Sequence, residues 1–197
     1  MDRKKAFEEL SFIKKVMEDS QSVLFENGKI LIVWSLFALL AVAAKVFKDF
    51  AGLKASNLVI YIPILLIGCV YAAYSKKRAY SHMGGTTYAT KAMESIWVAF
   101  LISTFILGIV GYVSGGIRPM AVAPAIAVLF GFNQYMSGVL SNRRWISMLA
   151  FGWWISSVIL FLRPSEHAVI FIGILLILFQ LIPGILVYRT WIKRHHA

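Results

Sequence analysis

The stretch Ala168–Tyr188, AVIFIGILLILFQLIPGILVY, decides the class of this chain. It holds no Asp, Glu, Lys, Arg or His, and its only amide is Gln180. A helix rises 1.5 Å per residue, so crossing the ~30 Å hydrocarbon core of a bilayer takes about 20 mostly apolar residues. This run has that length. Five other runs qualify or nearly so: Ile30–Phe47, Leu58–Tyr74, Ile96–Val113, Met120–Leu140 and Trp145–Leu162. Composition agrees. Of 197 residues, 59% are hydrophobic and 15% charged, and mean hydropathy is +0.75. A soluble domain is about 45–50% apolar and about 25% charged. A disordered chain, a collagen and a soluble nucleic-acid-binding domain are thereby excluded. The pattern predicts an all-α integral membrane protein, with six transmembrane helices in an up-and-down bundle occupying residues 29–197.

The flanks of the runs support this. Trp34, Trp97 and Trp145 open the first, third and fifth runs, while Tyr74, Tyr188 and Trp191 close the second and sixth. Such rings favour the headgroup level, where the body is apolar and one edge is wet. Six spans with short loops imply an up-and-down helical bundle, since irregular backbone exposed to lipid would leave amides unpaired, at several kcal/mol each.

Charge sets the orientation. There are 20 Lys+Arg against 9 Asp+Glu, a formal net charge of +11. In a soluble protein this would point to nucleic acid. Here the basic residues cluster at the ends of apolar runs, as the positive-inside rule requires, and no nucleic-acid partner is expected. With the N-terminus inside, fifteen basic residues fall on inner segments and five (Lys45, Lys48, Lys54, Arg118, Arg163) on outer ones. Both termini are therefore expected in the cytoplasm, with the chain in a cell inner (plasma) membrane. The first outer loop is the weak point, because three lysines there face only Asp49. The first 28 residues lack the apolar core and small-residue cleavage site of a signal peptide, so none is expected.

Residues 1–28 are different material. Ala6, Leu10, Ile13 and Met17 form a narrow apolar stripe at helical spacing, widened by Phe7, Phe12 and Val16. Lys4–Glu8, Lys5–Glu9, Lys14–Glu18 and Lys15–Asp19 are spaced i,i+4, each pair worth a few tenths of a kcal/mol. Asn27-Gly28 reads as a helix stop. Over residues 1–27 five basic side chains meet six acidic ones. A helix made for a membrane surface is rich in Lys and Arg alone. This near-neutral cytoplasmic amphipathic helix therefore predicts protein contact through Phe7, Leu10, Ile13 and Met17, with a partner or a second copy. A helix merely packed under the bundle is the plainer alternative.

Chemistry is sparse. An ionisable residue within the membrane is a functional candidate because burying it is costly, yet none lies at mid-depth in any run. Glu94 starts the third run one turn after Lys91, and Lys45 can snorkel from the outer end of the first. His82, His167, His195 and His196 lie in loops or the tail without a carboxylate–histidine motif, so no metal and no cofactor is expected. The single cysteine, Cys69, makes neither an intrachain disulfide nor a zinc cage. Gly84-Gly85 follows no strand and reads as a turn rather than a phosphate loop. No nucleophile has a histidine and an acid within reach, so no enzymatic activity and no catalytic residue is expected.

A neutral polar layer remains. Asn133 and Gln134 lie about two-thirds along the fourth run and Gln180 at a similar fraction of the sixth, which runs in the same direction. Ser103 and Thr104 sit near the middle of the third run, and Trp153, Trp154, Ser156 and Ser157 in the middle of the fifth. Amides in hydrocarbon need partners, and hydrogen bonds between helices supply them. Pro124 and Pro183-Gly184 can kink the same spans. A ligand site or pore lining between the third to sixth helices is thus expected at Thr104, Asn133, Gln134, Trp154 and Gln180, for a neutral or amphipathic molecule; structural glue is the alternative.

The leader Phe12-Ile13-Lys14-Lys15-Val16-Met17-Glu18-Asp19-Ser20, followed by Asn27-Gly28-Lys29 and a Trp-bearing first span, resembles that of small uncharacterised bacterial multipass membrane proteins over about the first forty residues. The resemblance implies a bacterial inner membrane and no activity. The expected function is a non-enzymatic one: a regulatory or accessory subunit engaging a partner through its N-terminal helix. The alternative is a small transporter or channel for a neutral or amphipathic solute that uses the polar layer.

Overall fold

A computed structural model describes residues 28–29, 31–54, 56–82, 88–165 and 167–195. The N-terminal helix expected over residues 1–28, with Phe7, Leu10, Ile13 and Met17, lies outside the described residues except for Gly28, as do Gly84, Gly85 and His196. Among the described residues the fold is all-helical. Helix α1 is Leu31–Phe50 and α2 is Leu58–His82. Helix α3 runs Tyr88–Phe105, passes through a π turn at Ile106–Val110, and ends with Gly111–Val113. Helix α4 is Pro119–Leu140 and α5 is Arg144–Leu162. Helix α6 comprises Ala168–Leu176, a π turn at Ile177–Leu181, and Ile182–His195. All but α2 are long and apolar enough to cross a membrane, and α2 contributes the shorter apolar stretch Leu58–Tyr71.

The apolar runs read from sequence mark these helices closely, but the helices overrun them into polar flanks. A helix continues while its backbone bonds close, whatever the hydropathy outside. The stop read at Asn27-Gly28 concerns the end of the leader, which lies outside the described residues; of that pair only Gly28 is described. It is helical and buried, and a Cβ there would lie 3.0 Å from the Tyr188 backbone nitrogen. It is a contact point between α6 and the chain ahead of α1.

Successive helices are antiparallel. Lys48 donates to Asn57 Oδ1 across the α1–α2 turn, while one end of Gly68 faces the Trp34 ring a few turns along. On α3 and α4, Gly108 faces Ile126 and Phe100 faces Phe130. On α4 and α5, Pro124, Gly131 and Gly138 face Ser157, Trp154 and Ser147 in turn. Helix α6 returns along α1, with Gly173 against Val42 and Gly184 against Leu31 and Ile32. The ends of α1, α3 and α5 and the starts of α2, α4 and α6 thus share one end of the bundle, called distal below.

The breaks in helical geometry have local causes. Pro183 has no N–H and its ring clashes with the carbonyl four residues back, and the π turn Ile177–Leu181 widens the helix just before it. Asn142 ends α4 with φ 50°, a left-handed position that Asn tolerates, and Arg143 N–H reaches back to Gly138 O at 2.9 Å.

The core has two buried clusters. One joins Ala127, Trp153, Leu160 and the α6 residues Ala168, Ile172, Leu175 and Leu176. The other joins Leu31 with Met93, Trp97 and Phe100 of α3. Outward faces are apolar as well: Phe50, Val70, Met148 and Leu162 are 90%, 69%, 70% and 77% exposed.

Candidate functional site

A cleft of about 810 Å³ lies between α1, α2, α3 and α4, closed at the back by the first two turns of α6. Pockets for small molecules typically span about 300–1,000 Å³. Its walls are aliphatic: Ala41 and Val42 of α1, Ile64 and Leu65 of α2, Leu101 and Ile109 of α3, Val122 and Ile126 of α4. Ala41 and Gly108 leave room where larger side chains would meet, and the π turn of α3 borders the same space.

The floor is aromatic. Trp34, Phe37, Trp97, Phe100 and Phe130 line it. They belong to a longer series of ring contacts that crosses every helix. Tyr71 of α2 meets Phe37 at 6.2 Å, Phe37 meets Trp34 at 6.3 Å, and Trp34 stacks on Trp97 at 6.4 Å. Trp97 meets Phe100 edge-on at 5.7 Å, and Phe100 meets Phe130 at 4.9 Å. Phe130 stacks on Trp153 at 4.7 Å, and Trp153 meets Phe179 at 6.2 Å. Aromatic pairs at these separations contribute about 0.5–1.5 kcal/mol beyond their buried area. The series ties six helices together at the level where the cleft stops.

The mouth is polar and lies at the distal end. Lys45 and Asp49 form an i,i+4 ion pair there. Asn57, Tyr61, Tyr112, Ser165 and His167 complete the rim. The His167 backbone N–H donates to Ser165 Oγ at 3.1 Å, fixing the start of α6. The site is therefore an apolar slot with polar groups at one end. Among the described residues no three His, Cys, Asp or Glu are grouped to hold a metal. What the geometry offers is burial of an apolar body and hydrogen bonds to a polar head.

The residues expected from sequence part company here. Thr104 lines the cleft. Trp154 does not. Its indole N–H donates to Val128 O at 3.3 Å, and the ring covers Gly131 so closely that a Cβ there would lie 2.3 Å from Nε1. Asn133, Gln134 and Gln180 are 1%, 2% and 1% exposed and lie behind the aromatic floor, among α4, α5 and α6. Run length and hydropathy do not mark the floor or the rim. Trp34/Phe37 and Trp97/Phe100 share an i,i+3 spacing, which places each pair on one helix face and was the available signal. For Lys45–Asp49 it was the i,i+4 spacing. No sequence rule says that the faces of α1 and α3 meet.

No known protein family, curated protein or solved structure matches this chain.

Proposed function

We propose that this chain is a non-enzymatic integral membrane protein that holds one amphipathic, lipid-like molecule in the cleft, its apolar part on the aromatic floor and its polar head at the Lys45/Asp49 rim. The observation that carries this reading is the segregation of the cleft: its walls and floor are aliphatic and aromatic apart from Thr104, and its other polar side chains gather at the mouth. A water-soluble solute would find almost no polar partner along such walls, whereas a hydrocarbon chain passes into them from lipid with no change of polarity. The exposed apolar faces fit contact with lipid, from which such a molecule would arrive. The reading takes up the transporter alternative and moves its site from Asn133, Gln134, Trp154 and Gln180 to the α1–α4 side. The regulatory-subunit function expected first draws only on residues 1–28.

In this proposal α2 crosses with the other five helices, and both termini face the cytoplasm of a bacterial cell. Reporter fusions after Lys54 and after Ser165 should both read outside; a cytoplasmic signal at either refutes the six-span topology.

The binding test is native mass spectrometry of protein extracted from its membrane. The unaltered chain should retain one amphipathic molecule per copy. Ala41→Trp places an indole in the slot and should release it, with the unfolding temperature unchanged. Equal occupancy in both proteins, or none in either, would reject the proposal.

A further inference from the structure

Behind the aromatic floor the bundle interior carries polar groups that the protein itself does not satisfy. Trp97 Nε1, Asn133 Oδ1, Gln134 Nε2, Trp153 Nε1 and Gln180 Oε1 are all fully shielded, and none has a hydrogen-bond partner among the described residues. The five side chains are each more than nine-tenths buried: 6%, 1%, 2%, 0% and 1% exposed. Each belongs to α3, α4, α5 or α6.

Helix register puts them at one level. Ser137 and Met93 are in contact, which places Asn133 and Trp97, one turn further along α4 and α3, opposite each other. Gly131 faces Trp154, so Asn133 and Gln134 lie level with the turn of α5 that holds Gly152 and Trp153. Gly152 in turn faces Phe179, the neighbour of Gln180. Phe130, one turn before Gln134, stacks on Trp153.

Leaving one buried polar group unpaired costs about 1–3 kcal/mol. Five together would consume much of the ~5–15 kcal/mol that holds a typical fold. The groups are also mixed in kind. The two indoles are donors, and each amide offers a donor and an acceptor whichever way it is turned. An anion would satisfy only the donors, and a cation only the amide oxygens; no charged side chain stands among the five to balance either.

We infer that this layer is a second binding site, adjoining the cleft at Trp97 and otherwise separate from it, for small uncharged molecules that both donate and accept hydrogen bonds, with water as the resident ligand. Folded proteins hold on the order of one buried water per 27 residues, typically with about three hydrogen bonds each. The five atoms offer such bonds from four helices.

The test is magnetisation transfer from water to the indole N–H groups in the folded, lipid-embedded protein, with the tryptophans ¹⁵N-labelled. The Trp97 and Trp153 signals are identified by Trp97→Phe and Trp153→Phe. Trp153 is diagnostic, because it does not line the cleft. A cross-peak between water and the Trp153 indole is expected. It should survive Ala41→Trp, which fills the cleft, and so stands or falls separately from the lipid-like ligand. It should vanish in the Asn133→Leu/Gln180→Leu double variant. Should that variant fail to fold, Gln180→Met keeps the shape of the side chain while removing its amide, and should weaken the cross-peak at least twofold. An absent Trp153 cross-peak in the unaltered protein overturns the inference, as does one that persists undiminished in the folded double variant.

Discussion

Helices α4 and α5 meet in a way that α1 and α2 do not. Along α4–α5, three side chains of α5 reach backbone carbonyls of α4: Ser147 to Tyr135 at 3.3 Å, Trp154 to Val128 at 3.3 Å and Ser157 to Pro124 at 2.9 Å. Gly131 and Gly138 let the backbones approach, and at Gly138 a Cβ would lie 2.4 Å from the Ser147 backbone nitrogen. Helix α2 meets α1 through side chains: Gly68 under the Trp34 ring, Tyr71 beside Phe37, and Lys48 on Asn57. Between α2 and α3 the cleft opens instead. In hydrocarbon no hydrophobic force drives helices together, because lipid tails are as apolar as Leu. Close approach and interhelical hydrogen bonds do that work in α4–α5. Where both are sparse, space is left, and in this protein the space is the candidate site.

Breaking the tight side should cost most. Gly138→Ala puts a methyl group into backbone that cannot rotate away, and overpacking of this kind costs about 1–3 kcal/mol or more. A large fall in unfolding temperature, or loss of the folded protein, is expected by thermal denaturation in detergent. A Gly138→Ala protein as stable as the original would mean that the α4–α5 contact is looser than described.

Gly68→Ala on the loose side sharpens the contrast. Its Cβ would lie 3.0 Å from the edge of the Trp34 ring, a side chain bordering the cleft. Alanine also gains about 1 kcal/mol of helix propensity over glycine. A shift well below half that of Gly138→Ala is expected in the same assay.

Ser157→Ala removes a single interhelical hydrogen bond. Such bonds average about 0.6 kcal/mol in membrane proteins. A small drop in unfolding temperature is expected, and a drop equal to that of Gly138→Ala would show that Ser157 does more than bond Pro124.

Asp49→Asn should do least. The Lys45–Asp49 pair lies at the exposed mouth, where water screens it. Thermal stability should be unchanged, while the amphipathic molecule captured by the cleft should change in headgroup preference toward anionic heads, because Lys45 loses its counter-charge. Native mass spectrometry of the bound species reads that shift; identical bound species would remove the rim from the site.

Much was legible in the residues themselves. The apolar runs located the helices because hydrophobic length is a property of the chain alone. Thus Met120–Leu140 and Trp145–Leu162 were read to within one residue of α4 and α5. Asn133, Gln134 and Gln180 stand at similar fractions of their apolar runs, and all three side chains are buried. Pairing was not legible. Trp153 and Trp154 are adjacent and identical in type, yet one is wholly buried in the series of rings and the other caps Gly131 from the side. A helix turns 100° per residue, so neighbours face different ways, and only the packing of α4 and α6 against α5 selects which face is interior. The cleft was hidden for the same reason. The sequence by itself determined that the chain is a set of long apolar helices with polar residues confined to a few depths, because burial in hydrocarbon permits little else. Which faces of those helices meet, and where they fail to meet, was decided by tertiary structure, because a cavity is a property of several helices at once and no single one encodes it.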